Sequence, residues 1–520
     1  MHNVTDSRTP GGEGEGEGEA APAREADDKP AAAIRGFAAA PRLRQVSART
    51  FFPVEQTAPP GWLLALIAVG GATLAGARQG STGLNTIWAE DGQVFYQGAL
   101  TSPVHAFVES WQGYLSTGPR IIAAVVTVFP VSWAAGAFAV ADAIVMGLLA
   151  ALTYRACGEH IRNPWLRALP AVTIAACPVG PETWGAVSNL QWPLFFVAVV
   201  VLLWNPRHPV PIAAGAVTVL LLALSSPFGV LLMPIAVARI AVLPSDRGTV
   251  IPLTALAGVA LQSVNIAIAN GRPDTYSAIV PGPIAKFYAK YVAGNGFFGI
   301  RYPVPWPQPG TTVVIAVVAA LVLVAASGRL RQLAVAVLAL AYSVGFFAVL
   351  MVLSGADTGQ YGPPRYFVGP FLLLAFAVTV LFDAVLGGGA AWRAGWSGWP
   401  GWPEWPEWPG WSGWPGLRGG SAVRLRFPRL RLTRLRLTGV SRFAAVLLCA
   451  ALAGCLVWSV GTSWHVTFAA RRQPTWSAAL ASGHARCEHG ARTASVRITP
   501  HTPPYWHVTL TCAQLGVTKR

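Results

Sequence analysis

Eleven apolar runs, most of them free of charged residues, recur along this 520-residue chain and leave it one class of fold. They fall at 62–77, 134–154, 168–180, 191–204, 210–226, 228–244, 249–268, 311–327, 333–353, 366–384 and 443–461. With 53% hydrophobic residues against 12% charged, the chain carries more apolar surface than one soluble core could hide. The expectation is an all-α polytopic membrane protein of about eleven transmembrane helices. Several runs are short against the roughly 20 residues a bilayer asks for, and Pro170, Pro178 and Pro193 interrupt them.

Charge sets the orientation. The net charge of +16 comes largely from arginines placed beside apolar runs, which points to membrane partners rather than nucleic acid. Arg155, Arg162, Arg167, Arg207, Arg247, Arg329 and Arg331 mark the cytoplasmic side, whereas the loop 79–118 holds Glu90, Asp91 and Glu109 with neither Lys nor Arg and reads as external. Within the core, 59–384, residues 120–131 read as a helix on or dipping into the outer surface, and 270–310 as a second external loop. Residues 1–58, with the alternating run Gly12 to Glu19, read as a disordered cytoplasmic leader, too long and acidic for a signal peptide. An odd number of spans then places the tail 462–520 outside.

Two segments stand apart from the spans. Between 385 and 442, Trp396, Trp399, Trp402, Trp405, Trp408, Trp411 and Trp414 recur every third residue and are followed by Arg424 to Arg436 alternating with Leu and Thr. A period of three suits polyproline II, so this reads as a cytoplasmic loop with Trp in the interface and Arg on anionic lipid, or as a repeat expansion without a role. In the tail, Val496, Ile498, Val508 and Leu510 alternate as two short strands, and Cys487 and Cys512 flank them. A bridge between those cysteines would close a loop of about 26 residues and contribute roughly 3.5 kcal/mol in the chain-entropy model. The expected tail is therefore a small, disulfide-closed, β-like unit.

Four polar constellations could carry chemistry. Glu90 and Asp91 follow the first run; at a membrane surface a carboxylate stays ionised and can accept a proton or hold a divalent cation. The alternative is a turn at Asp91-Gly92 with Glu90 solvated. The loop 270–310 places Arg272, Lys286, Lys290 and Arg301 on the external side, either to meet an anionic phosphate or to snorkel to headgroups. Arg365, after Gly362-Pro363-Pro364, is fixed at the mouth of a span, where a guanidinium can grip phosphate with two hydrogen bonds. Glu182 and Asn189 form a polar cluster at an external helix junction, suited to an acceptor or to structure. Asp142, deep in a run, reads as a structural hydrogen-bond partner. No Walker loop, GxSxG elbow, HExxH helix or CxxC pair occurs, and the nine histidines are scattered.

A cytoplasmic N-terminus, one span, and a long external loop opening on an acidic pair, followed by many spans, resembles the C-type membrane glycosyltransferases over about residues 60–465. The resemblance implies an enzyme moving a sugar from a polyprenyl-phosphate donor to a cell-envelope acceptor. It implies that Glu90 or Asp91 is the base or holds a metal, and that Arg365, Arg301, Lys286 or Lys290 grips the lipid phosphate. The chain lacks the large external C-terminal domain and the tryptophan-rich acceptor motif of oligosaccharyltransferases. Two other classes stay open: a transporter or flippase of a lipid-linked or amphipathic solute, and a non-catalytic envelope scaffold. Against transport stand the absence of a clear internal repeat and the scarcity of ionisable residues at midplane depth.

Overall fold

The computed structural model describes residues 41–55, 58–243, 247–269, 281–299, 309–353, 364–386, 451, 454–464, 474–500 and 506–517. Most of the leader, the Trp- and Arg-rich loop with its expected lipid contact, Arg272 and Arg301 lie outside them. The chain divides into Met1–Arg44 and Gln45–Arg520. Of the first unit only the start of helix α1, Pro41–Phe51, is described.

The second unit is a helical bundle. Five helices or helix pairs are long and apolar enough to cross a membrane: α2 Gly61–Leu84, the stretch Val131–Glu159, the stretch Arg247–Ile268, Leu330–Leu353, and Pro364–Val385. This corrects the expectation of eleven full-length spans. Four of the other runs form apolar helices of 10–17 residues in Val187–Leu203, Pro209–Ser225, Pro227–Val242 and Gly310–Ala326, and the separate helix expected at 120–131 runs Thr117–Val126 (α3). Proline and polar caps stop them early. Asn163 caps α5, Pro164–Ala175, by accepting from the amides of Trp165 and Leu166. Ser226 caps the turn Pro227–Leu232 that precedes α8, Met233–Val242. The run at 443–461 is described only in part, as helix at 454–463.

The remaining helices are α4 Ala134–Ala156, α6 Gln191–Leu203, α7 Pro209–Ser225, α9 Val250–Ile268, α10 Pro309–Ala326, α11 Leu330–Leu353 and α12 Val368–Val385. Burial separates them into layers. Helix α12 has 94% of its span window buried and α2 only 11%, so α12 is the axis and α2 a lipid-facing wall. Small residues let α2 and α4 approach closely, since a Cβ on Gly147 would strike the carbonyl of Ala68. Around α12, Phe195 stacks on Phe346 and Phe297 meets Phe371 edge-on.

The bundle has two distinct ends. At one, Arg155 pairs with Glu55 at 2.9 Å, Arg239 donates to the carbonyls of Val201, Leu202 and Gly248, Arg331 donates to Glu159 O, and Asp383 accepts from the amides of Arg162 and Asn163. At the other lie Glu90, Glu182, Arg365 and the C-terminal tail. The tail is helix α13, Trp476–Glu488, with antiparallel strands β1, Thr493–Arg497, and β2, His507–Thr511, paired Val496 to Val508. The expected strands and the Cys487–Cys512 bridge are present, with Cα atoms 5.6 Å apart. The tail is more than β-like, because helix α13 covers the ribbon; the two strands form an open ribbon, not a closed sheet.

The tail docks on the segment after α2. Trp476 N donates to Asn85 O, Ala89 N to Thr499 O, His507 N to Gln93 Oε1 and Thr509 N to Gln97 Oε1. Gly92 permits this approach, since a Cβ there would strike Ile498. The loop read as 79–118 is thus largely helical: α2 runs on to Leu84 across a kink at Gly80, and a π-helical turn spans Asp91–Tyr96. Arg78, expected to end the first span, instead lies inside α2, donating to Cys177 O and stacking on Trp184.

Candidate active site at the tail-bearing end

The acidic pair splits. Asp91 is fully buried; its Oδ2 accepts from Val187 N at 2.9 Å and its Oδ1 from Ser188 N at 2.8 Å. It therefore caps the 3₁₀ turn Val187–Leu190 that opens helix α6, as an N-cap carboxylate does. Its neighbour Glu90 lines a cleft of about 80 Å³, and Glu90 Oε2 is buried without a hydrogen-bond partner among the described residues. The amide oxygen of Gln191, also on the cleft wall, is in the same state. Two buried acceptors with no donor ask for a hydroxyl, an ammonium or a cation.

Arg365 lines the same cleft from the turn Pro364–Phe367 that leads into α12. Glu182 holds it twice: Oε1 accepts the Arg365 amide at 2.8 Å and Oε2 faces Arg365 Nη1 at 3.4 Å. The two turns can meet because Gly180 sits at φ 68° and has no Cβ to strike Val368. Asn189 ties the group together, donating to Glu182 O at 2.9 Å while its Oδ1 accepts from Trp192 Nε1. Glu182 is thus a positioning group for Arg365, and Asn189 one for Glu182.

Of the expected residues, Glu90, Arg365 and Asn189 share the cleft, with Glu182 behind it. Lys286 and Lys290 do not join them. Both are exposed on the short helical segment Pro281–Gly294, and Lys290 Nζ lies over the Tyr291 ring at 5.0 Å. That segment is anchored from beneath, by Tyr288 hydrogen-bonded to Ser343 and by Tyr291 stacked on Phe367. Asp142 accepts from Gln79 Nε2 and from Gly185 N, a structural role.

Several wall residues were not anticipated. The turn Trp111 to Tyr114, with Gln112 and Gly113 at positive φ, forms one rim, and Gln262 of α9 pins it by bonding both the amide and the carbonyl of Leu115. Arg120 is buried below, donating to Glu109 O at 2.7 Å with its guanidinium over Phe95. The readable signal was an arginine just past a loop that otherwise lacks basic residues. Among the described residues no three His, Cys, Asp or Glu side chains converge as metal ligands. Glu90 is the carboxylate on the cleft wall, so a divalent cation there would have one protein carboxylate and would draw its remaining shell from substrate and water.

Next to this polar cleft, sharing Pro227 with it, lies a mostly apolar groove of about 280 Å³ between α7 and α9, lined by Val230, Val259 and Ile266. The neighbouring face of α9 exposes Leu261, Val264 and Ile268. The chain matches no protein-family model, and no curated protein is similar to it.

Proposed function

We propose that this chain is an integral membrane glycosyltransferase that moves a sugar from a polyprenyl phosphate to a hydroxyl of a cell-envelope acceptor. The observation that carries the reading is the meeting of Glu90, with an unpartnered carboxylate oxygen, and Arg365, held by Glu182, in one cleft beside an apolar groove. Glu90 takes the proton of the acceptor hydroxyl as its oxygen bonds to the anomeric carbon. The bond from that carbon to the lipid phosphate oxygen breaks, and the phosphate leaves with the electron pair. Arg365 meets the negative charge that builds there. The groove gives the polyprenyl chain an apolar bed at membrane depth, while the cleft alone, at about 80 Å³, has room for the reacting groups but not for a whole donor.

A phosphate contact is made in the ground state and strengthens in the transition state, so Arg365→Ala should weaken donor binding and turnover together. The measurement is transfer from a polyprenyl-phosphate sugar, with donor affinity taken separately on the protein in nanodiscs. Normal affinity and turnover would remove Arg365 from the site and the reading with it.

The same proposal fixes topology. The arginine-bearing end is cytoplasmic and the tail end external. In variants lacking the native free cysteines, a cysteine at Ser102 should react with an impermeant maleimide applied outside intact cells. One at Arg207 should not; the reverse pattern inverts the model.

A further inference from the structure

The tail carries a second opening that the transfer site does not use. A groove of about 620 Å³ lies where helix α13 meets the strands, and its wall includes Pro474, Ser482, Arg486, Ser495, Arg497 and His507. That volume falls within the roughly 300–1,000 Å³ of small-ligand sites. Arg497 and His507 are directly opposed partners on the exposed face of the ribbon. Ser495, the next residue of β1 on that face, adds its hydroxyl to the groove beside the basic pair. Arg486 extends toward the same opening, hydrogen-bonded to Ser482 Oγ at 3.2 Å. Among the described residues no acid lines the groove; Glu488, the sole acid between 474 and 517, faces His484 at 3.3 Å.

Basic groups from Arg486, Arg497 and His507, the hydroxyls of Ser482 and Ser495, and small apolar side chains from Ala478 and Ala479 match a sugar chain that carries negative charge. A bare phosphate would need far less room. The position adds direction. Trp506 precedes His507, and its ring meets Trp111 edge-on at 6.5 Å, and Trp111 stands on the rim of the cleft. A glycan seated in the groove would therefore extend toward Glu90.

We propose that this groove binds an anionic glycan segment, a sugar unit bearing carboxylate or phosphate, and so docks the acceptor polymer beside the transfer cleft. Its role as acceptor dock rests on the glycosyltransferase reading; the binding itself does not. The test is a titration of the full-length protein, in phosphatidylcholine nanodiscs, with tetragalacturonate and with neutral maltotetraose. Tetragalacturonate should bind saturably and maltotetraose at least tenfold more weakly. Arg486→Gln combined with Arg497→Gln should weaken the tetragalacturonate complex by about tenfold or more. Arg492→Gln, an exposed tail arginine outside the groove wall, should leave it unchanged. Retention of the Cys487–Cys512 bridge by mass spectrometry checks that each variant is folded. Absence of binding, equal binding of both sugars, an undiminished double variant, or an equal loss in Arg492→Gln would overturn the proposal. So would loss of binding in phosphatidylglycerol nanodiscs, which would assign the groove to lipid headgroups. No transfer is measured, so an inactive enzyme that still binds would count against the transferase reading alone.

Discussion

Glu90→Gln is expected to lower sugar transfer by roughly 10²–10⁴, the usual contribution of a general base, while donor affinity and folding stay near the wild type. Glutamine keeps the size of the side chain and one acceptor but cannot take the proton. The substitution is mild structurally because Glu90 Oε2 has no partner to lose. Transfer by single turnover, with donor binding measured on the same preparation, separates the chemical step from recognition. A Glu90→Gln protein with near-normal transfer would leave the cleft without a base and move the transporter or scaffold readings ahead.

Asp91→Asn should act in the opposite way, on stability first. The amide can accept from one of the two backbone groups, Val187 N or Ser188 N, but turns an N–H donor toward the other. Leaving a buried donor unmatched costs roughly 1–3 kcal/mol. Thermal melting in nanodiscs should fall accordingly, and hydrogen exchange at Val187 and Ser188 should quicken. The pH dependence carries a sign. Burial pushes the Asp91 carboxyl up to about 8, the charge of Glu90 adds to this, and the bonds from Ser188 and Val187 oppose it. A raised carboxyl contributes stability that is complete below its ordinary value of 3.8 and is lost as pH rises through about 8. The wild type should therefore lose melting temperature between about pH 5 and 8, and no further above that, by a component that Asp91→Asn lacks. Identical pH profiles would show that Asp91 does not titrate there.

These two residues also show where sequence reasoning ran out. The chain alone left Glu90 and Asp91 both open as the base, and the structure fixes Asp91. What fixes it is a pair of amides at Val187 and Ser188, more than ninety positions away. That partnership takes both oxygens and leaves Glu90 facing the cleft. Helix positions were readable because a charge-free apolar window is a local property: the runs at 134–154, 249–268 and 333–353 became Ala134–Ala156, Val250–Ile268 and Leu330–Leu353. The status of the shorter runs as full spans was not, because composition cannot tell a neighbour from lipid. Helix α6, one of the most apolar stretches, is 13 residues long and buried among other helices, with little face for the bilayer. The run 62–77 stops short of the end of α2 for the same reason, since the partners that allow a buried Arg78 are Cys177 and Ser463, distant in sequence. Helix α13 was missed for want of an apolar stripe; Thr475, whose side chain accepts from Ala478 N, was its signal.

The docking of the tail on the segment after α2 has a consequence for biogenesis. Asn85, Ile87 and Ala89 offer backbone groups that Trp476 and Thr499 meet, and Gln97 meets Thr509 across 412 positions. At a synthesis rate of about 5–20 residues per second, those groups wait for some tens of seconds after emerging. During that interval the Trp111 rim lacks Trp506, and Gly92 lacks Ile498 and Val508 packed against it. The Trp111 rim of the cleft is thus braced by a segment made long after it, so a polypeptide stopped before Trp506 would be inserted with that rim unsupported.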